Sequence, residues 1–307
     1  MKLGITPWDF ADRSARGLNQ QARTAESFGY DSFWLPENHF NLNAIPDPLM
    51  LLAAVAAGTD RIRLATTSYL LPLRNPLQAA EQVAVLDQLS GGRVTLGVGR
   101  GYANSMLRAF SVVPSEKRKL FEWCLKTMQQ AWSGEPVSLR EGDEPVTLEP
   151  LPVQKPHPPI WVAAFGPKAL AQAGRLGLPY LASPLESLAT LESNYMRHRL
   201  AALEAGHEAL ETVPIMRTVF VSNNTAEVKV LRERIHQEAQ KSHRLEKDAS
   251  IDDWSIVGDE FYVRDKFAEY LERLRVSHIV VTRLRIPGVE TTSLHRSVAK
   301  VAEIVGV

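Results

Sequence analysis

Two hydrophobic periods take turns along this chain. Lys2 to Thr6 reads as a first strand. Leu18, Ala22, Ala25 and Phe28 form a helical stripe closed by Gly29. Ser32 to Leu35 is a second strand. Asp47-Pro48 then opens a helix with a capping side chain and a proline at its first position. Ile62 to Ser68 is a third strand. Asn75-Pro76 starts the next helix by the same device, with Ala79, Ala80, Val83 and Leu86 on its buried face and Gly91-Gly92 at its end. Val94 to Val98 is a fourth strand, and Ser115 caps a helix that runs to about Ser133.

Pro136 to Pro159 departs from this rhythm. It carries several prolines and no helical period, and Val137 to Leu139 can pair with Val146 to Leu148 around Glu141-Gly142-Asp143. It reads as an excursion on a rim. Strands resume at Ile160 to Ala164, Tyr180 to Ala182, Ile215 to Val221 and His278 to Thr282. Helices fall at Gly166 to Leu176, Leu188 to Ala205, Thr225 to Gln240, Phe267 to Leu274 and Leu294 to Val305. Ser242 to Ile256 is polar and shows no clear period.

Strands and helices alternate at roughly 30-residue spacing, which implies parallel strands joined by right-handed crossovers. No composition break marks a linker, so residues 1–307 read as a single domain. The expected fold class is α/β, a (β/α)8 TIM barrel with insertion segments on its C-terminal rim. A doubly wound open sheet is the runner-up. In such a barrel chemistry sits where strands end. Those positions are Thr6 to Trp8, Glu37 to Phe40, Thr66 to Tyr69, Gly99 to Tyr102, Phe165 to Lys168, Ser183, Val221 to Asn223, and Arg283.

Composition narrows the function classes. Lys+Arg and Asp+Glu are both 35, so formal charge is zero, which argues against a nucleic-acid-coating or membrane-surface protein. The lone cysteine, Cys124, fits a reducing compartment and sits at helical spacing among apolar residues, as a buried, inert thiol would. The N-terminus lacks an apolar leader, and no apolar run is long enough to span a bilayer, so a cytoplasmic protein is expected. The eight histidines are scattered without ligand spacing, so no metal site is expected. No G-x-S-x-G elbow is present, and covalent acyl chemistry has no candidate.

What remains is an anion site. Val94 to Tyr102, VTLGVGRGY, sets Arg100 between two glycines at a strand end, where a planar guanidinium can grip a phosphate or pair with a carboxylate in the loop. Its glycine spacing is not a dinucleotide fingerprint, since Tyr102 and Asn104 stand where glycines are needed. Arg118 lies in the first turn of the next helix. Gly166, Pro167 and Lys168 open another, where the N–H groups of Lys168 and Ala169 can face an anion. Together these point to a phosphorylated cofactor across the barrel mouth.

Several stretches carry a family resemblance. FWLPENHF (33–40), RIRLATTSYLLPLRNPLQAAEQVAVLDQLSGGRVTLGVGRGY (61–102), PPIWVAAFGPKALAQAGRLGLP (158–179) and VGDEFYVRDKFAEYLERLRVSHIVV (257–281) resemble the bacterial-luciferase-like flavin-dependent monooxygenases. The resemblance implies a (β/α)8 barrel that binds FMN, with reduced flavin and O2 oxygenating a small organic substrate. It implies phosphate contacts from Arg100, Arg118, the Tyr102 backbone and the turn Phe165, Gly166, Lys168 and Ala169, near Gly99. It also implies a cis peptide at Thr67-Ser68 beneath the flavin.

Two departures stand out. Many relatives read E-H-H-F, but here the motif is Glu37-Asn38-His39-Phe40, and asparagine cannot exchange a proton near neutral pH. An acidic residue often follows the G-R-G segment in relatives, but here Asn104, Ser105 and Met106 occupy that span. His39 is the remaining base candidate, with Glu37 and Asn38 beside it. Tyr102 to Pro114, the 136–159 excursion and 242–257 are candidate lids. Phe40, Leu42, Met106, Phe110 and Trp254 suggest an apolar pocket. A homodimer and a separate flavin reductase are expected partners. A deazaflavin-dependent hydride-transfer enzyme of the same superfamily and a non-catalytic flavin-binding subunit are the alternatives.

Overall fold

The computed structural model describes the chain except residues 10, 11, 13, 43, 209, 241–244, 246–248, 283–288 and 307. In chain order the elements begin with β1 (Lys2–Ile5), α1 (Ala15–Ser27), β2 (Ser32–Leu35), α2 (Pro48–Ala56), β3 (Arg63–Thr66) and β4 (Tyr69–Leu70). A 3-10 turn over Leu71–Leu73 leads to α3 (Pro76–Leu89), β5 (Val94–Gly99), α4 (Asn104–Ala109), α5 (Lys117–Trp132) and β6 (Ile160–Ala163). Then come α6 (Pro167–Arg175), β7 (Tyr180–Leu181), α7 (Leu188–Glu204), β8 (Pro214–Val221), α8 (Thr225–Gln240) and α9 (Ile251–Trp254). β9 (Ser255–Gly258), α10 (Glu260–Leu274), β10 (His278–Thr282) and α11 (Thr291–Val305) complete the set. The fold is α/β with parallel strands, as the alternating periods imply.

Contacts divide the chain into two compact units. One comprises residues 13–19 and 35–163, the other 1–12, 20–34 and 164–307. In the first, β3, β5 and β6 pair in parallel, with Leu64 opposite Val94 and Leu96 opposite Ile160, and β4 pairs with the end of β5. Both expected proline-led helix starts are present: Asp47 accepts from the Met50 N–H, and Asn75 from those of Leu77 and Gln78. α5 packs its buried Phe121, Leu125 and Met128 inward, and the Trp132 indole donates to the Ala80 carbonyl of α3 at 3.0 Å. The buried Cys124 thiol is pushed up to about 12 by burial, against the pull of Arg74, and stays a thiol.

The Pro136 to Pro159 excursion lies differently from expectation. Val137 and Val146 do pair as an antiparallel bridge. Its second half, however, is fastened at the N-terminal ends of the strands. Gln154 gives its backbone N–H and its amide to the fully buried Asp87 carboxylate at 2.9 and 2.7 Å, and its amide also reaches the carbonyl of Val94, the first residue of β5. Arg63, the first residue of β3, donates to the Gln154 side chain. The reason is topological and electrostatic: α5 returns the chain toward the strand starts, and a buried carboxylate must find donors there. This half is therefore no lid over Gly99 to Tyr102.

In the other unit β1 lies between β2 and β10, followed by β8 and β9, all parallel. Ala182, just past β7, bridges to Ile215 of β8. Arg217 on β8 is wholly buried. It donates to the Tyr270 hydroxyl at 2.8 Å and to the carbonyls of Ser183, Met216 and Glu186. Glu186 beside it accepts from the Tyr180 hydroxyl, the Ser183 N–H and the Asn194 amide, and burial raises its pKa. α6 and α7 touch at backbone distance, because any side chain at Gly174 would strike the His198 carbonyl.

Four sequence expectations change. Ser115 is not the cap of α5; Glu116 takes that place and makes no side-chain bond. α4 forms inside the segment expected to be a lid loop. The polar stretch before residue 257 contains α9 and β9. Trp254 there is a core residue, packed with Phe220, Leu231, Ile235 and Val257, and not a pocket wall. α10 begins seven residues earlier than its apolar stripe, where Asp259 caps the Tyr262 N–H. Arg283 and His243 lie outside the described residues.

Trp254→Ala should cost about 3–5 kcal/mol in urea unfolding, as for large aromatics removed from cores. A second test concerns acid sensitivity. His198 donates to the Leu178 carbonyl, and burial lowers its pKa. The unfolded chain then binds more protons, so stability falls as pH drops through and below about 6.5. His198→Gln should flatten that acid limb in unfolding curves taken between pH 5 and 8.

Candidate functional site

The chemistry-bearing residues of the unit 13–19 and 35–163 gather at the ends of β2, β3 and β5. β2 ends at Leu35, and Pro36 turns the chain so that Glu37 points inward, its side chain fully buried. One carboxylate oxygen accepts from His39 Nε2 at 2.8 Å and from the Arg74 guanidinium at 3.0 Å. The other accepts the Leu70 N–H at 2.9 Å. A carboxylate only accepts, so His39 carries its hydrogen on Nε2 and keeps Nδ1 as an acceptor when neutral. Arg74 also lies over the Tyr69 ring, 3.8 Å from its centroid. Burial alone would lower the Arg74 pKa, but Tyr69 and Glu37 outweigh it and raise it. Burial pushes the Tyr69 phenol up to about 12.

Asn38 does a different job. Its side-chain oxygen accepts the Ile45 N–H at 3.0 Å, and its own N–H donates to the Ile45 carbonyl at the same distance. This two-bond clasp closes the loop that carries Phe40 and Leu42. Phe40 sits in the left-handed region at φ 60 and is 72% exposed. Phe110, from the end of α4, meets the His39 ring edge-on at 4.8 Å and the Phe40 ring at 5.6 Å. His39 is thus framed by a carboxylate on one side and two aromatic rings on the other.

At the end of β3 the Thr67-Ser68 peptide is cis, as the resemblance implies, and the Thr67 N–H donates to the Leu35 carbonyl at 2.8 Å. Gly99 faces it, and a Cβ there would collide with the Ser68 hydroxyl. Arg100 follows, only 7% exposed, with its guanidinium 4.5 Å over the Phe121 ring and one nitrogen 3.1 Å from the Ala163 carbonyl. Burial, then the charge of Arg118, lowers its pKa to about 10. Gly101 turns at φ 70, its carbonyl accepts from Lys117 Nζ at 3.1 Å, and Tyr102 stands 77% exposed. Arg100, Lys117 and Arg118 form one cationic cluster: Lys117 bonds the Gly101 carbonyl beside Arg100, burial and then the charges of Arg100 and Arg118 lower the Lys117 pKa, and Arg118 adds to the lowering at Arg100.

The turn Phe165 to Ala169 belongs to the other unit. There Gly166 at φ 80 precedes α6, and no side chain caps that helix. The Ala169 N–H donates to the Gly166 carbonyl. Phe165 is 53% exposed.

A family model described as luciferase-like monooxygenase matches residues 4–278. The chain belongs to the luciferase-like monooxygenase family. Members of this family are oxidoreductases. One relative is the uncharacterized protein y4vJ of Sinorhizobium fredii, 29% identical over 87% of this chain and 84% of its own. The oxygenating constituent of 3,6-diketocamphane monooxygenase from Pseudomonas putida, solved with FMN, superposes at a TM-score of 0.80. It is 20% identical, over 99% of this chain and 97% of that one. An F420-dependent secondary alcohol dehydrogenase, solved with an F420-acetone adduct, gives 0.77 at 19% identity, over 100% and 99%.

Reading the luciferase-like chain by motif left out Arg74 and Lys117. Arg74 stands in LLPLRNP, where the neighbouring Asn75-Pro76 explains itself as a helix start. Lys117 opens the run Lys117-Arg118-Lys119 at a helix N-terminus, where the dipole disfavours cations. That anomaly was a usable signal.

Arg74→Met would leave the buried Glu37 carboxylate without its cation, held only by His39 and the Leu70 N–H. It should destabilise the protein by about 3–5 kcal/mol in urea titration, the usual cost of breaking a buried pair.

Proposed function

We propose that this protein is an FMN-dependent monooxygenase, built on a (β/α)8 barrel over residues 1–307, that puts one atom of O2 on a small apolar organic substrate. The observation that carries this reading is the cationic cluster of Arg100 and Arg118 at the end of β5, in a chain of the luciferase-like family. Guanidiniums match phosphate geometry, so the donor set fits the flavin's phosphate tail. When bound, reduced FMN supplies the electrons that make O2 reactive toward the substrate.

The chain's own residues supply binding and proton handling. Arg100, stacked on Phe121 and tied to the Ala163 carbonyl, presents a preset charge. Held by burial and these contacts, it has less side-chain freedom left to lose when it binds an anion. Glu37 fixes the His39 tautomer, so Nδ1 is the atom that takes and returns a proton. Asn38 holds the loop that presents Phe40, and Phe40 with Phe110 offers an apolar face beside His39. Apolar walls keep water from a reactive site.

A second reading is hydride transfer by a deazaflavin, supported by the fold shared with the F420-dependent alcohol dehydrogenase. The two separate cleanly in one experiment. Oxygen uptake in the presence of reduced FMN is expected, and Arg100→Ala should raise the FMN dissociation constant about tenfold or more, the scale of a lost charge-assisted contact. Substrate-linked reduction of F420 with no oxygen uptake would establish the deazaflavin reading instead.

A further inference from the structure

The geometry points to Lys117 as a third cation of the anion site, one that tunes it to a phosphate monoester dianion over a phosphodiester monoanion. This rests on the flavin reading above and deepens it.

Three positive charges meet where β5 ends and α5 begins. Arg100 arrives from the strand, while Lys117 and Arg118 occupy the first turn of a 16-residue helix. No side chain caps that helix start and no acidic residue stands in its first turn, so the N-cap residue Glu116, whose carboxylate makes no capping bond, is the one acidic group at the start of the helix. Its dipole adds partial positive charge at the same spot. Lys117 is aimed by its bond to the Gly101 carbonyl, the residue next to Arg100. An ammonium has three N–H donors, and this bond uses one of them. Lys117 therefore sits astride the turn that follows Arg100 and does not trail into solvent.

Charge count decides what suits this arrangement. A phosphate monoester carries about −1.5 to −2 at pH 7, with its second ionisation near 6. A diester carries a single negative charge at any ordinary pH. Two guanidiniums already over-compensate a monoanion, so a third cation adds repulsion without a matching partner. A dianion can engage all three. FMN ends in a monoester, whereas the phosphate of F420 is a diester, so the cluster favours FMN.

The test measures dissociation constants of FMN, riboflavin and F420 for the wild type, Lys117→Met and Lys117→Arg, between pH 5 and 8. Circular dichroism confirms folding of each variant. Wild type should prefer FMN to riboflavin, increasingly so as pH rises through about 6. Lys117→Met should lose about tenfold in FMN affinity while riboflavin affinity stays put, and its FMN affinity should depend less on pH. Lys117→Arg should keep most of the preference. An FMN preference unchanged in Lys117→Met overturns the role of Lys117 alone. A wild type that favours F420 over FMN overturns the charge-count argument. A wild type that holds no flavin overturns both the flavin reading and this inference.

Discussion

One buried carboxylate organises the candidate site. Glu37 has no exposed side-chain surface, and an ion so placed is tolerated only when its lone pairs are filled. Arg74, His39 and the Leu70 N–H fill them. The three donors come from different places: the segment after β2, the short strand β4, and the turn before α3. Satisfying the carboxylate therefore fixes where these segments stand. It also fixes the His39 tautomer and, through the Tyr69–Arg74 stack, the end of the strand next to the Thr67-Ser68 peptide. The His39 ring and its scaffold share one electrostatic requirement.

Asn38 shows how a family motif can be read too narrowly. In E-N-H-F, the asparagine stands where the family resemblance implies histidine, and it clasps Ile45 on both backbone groups. The amide closes the loop that carries Phe40, a job an acid–base residue would not do. His39, next in line, has the carboxylate partner that a base requires.

Much of the architecture was legible because local signals agreed with the fold. Asp47-Pro48 and Asn75-Pro76 start helices by side-chain acceptance, and those bonds form as read. The strands SFWL and HIVVT are short apolar runs with clear flanks, and their bounds match. The failures were also physical. β9 and Trp254 lie in a polar stretch whose strand is specified by pairing with β8, not by its own period. The excursion's place was set by Asp87, whose need for donors appears only once α3 is folded. Arg100 and Arg118 could be named from the G-R-G segment and the helix start. Arg74 could not, because its importance comes from a carboxylate 37 positions earlier in the chain.

The anchoring of the excursion has a consequence for how this protein can change. Gln154, Asp87 and Arg63 lock the N-terminal ends of β3 and β5, while the cations and aromatics stand at the opposite ends of the same strands. Structural anchoring and the candidate site occupy separate poles of one short parallel sheet. Evolution can rework one pole residue by residue while the other keeps the chain folded.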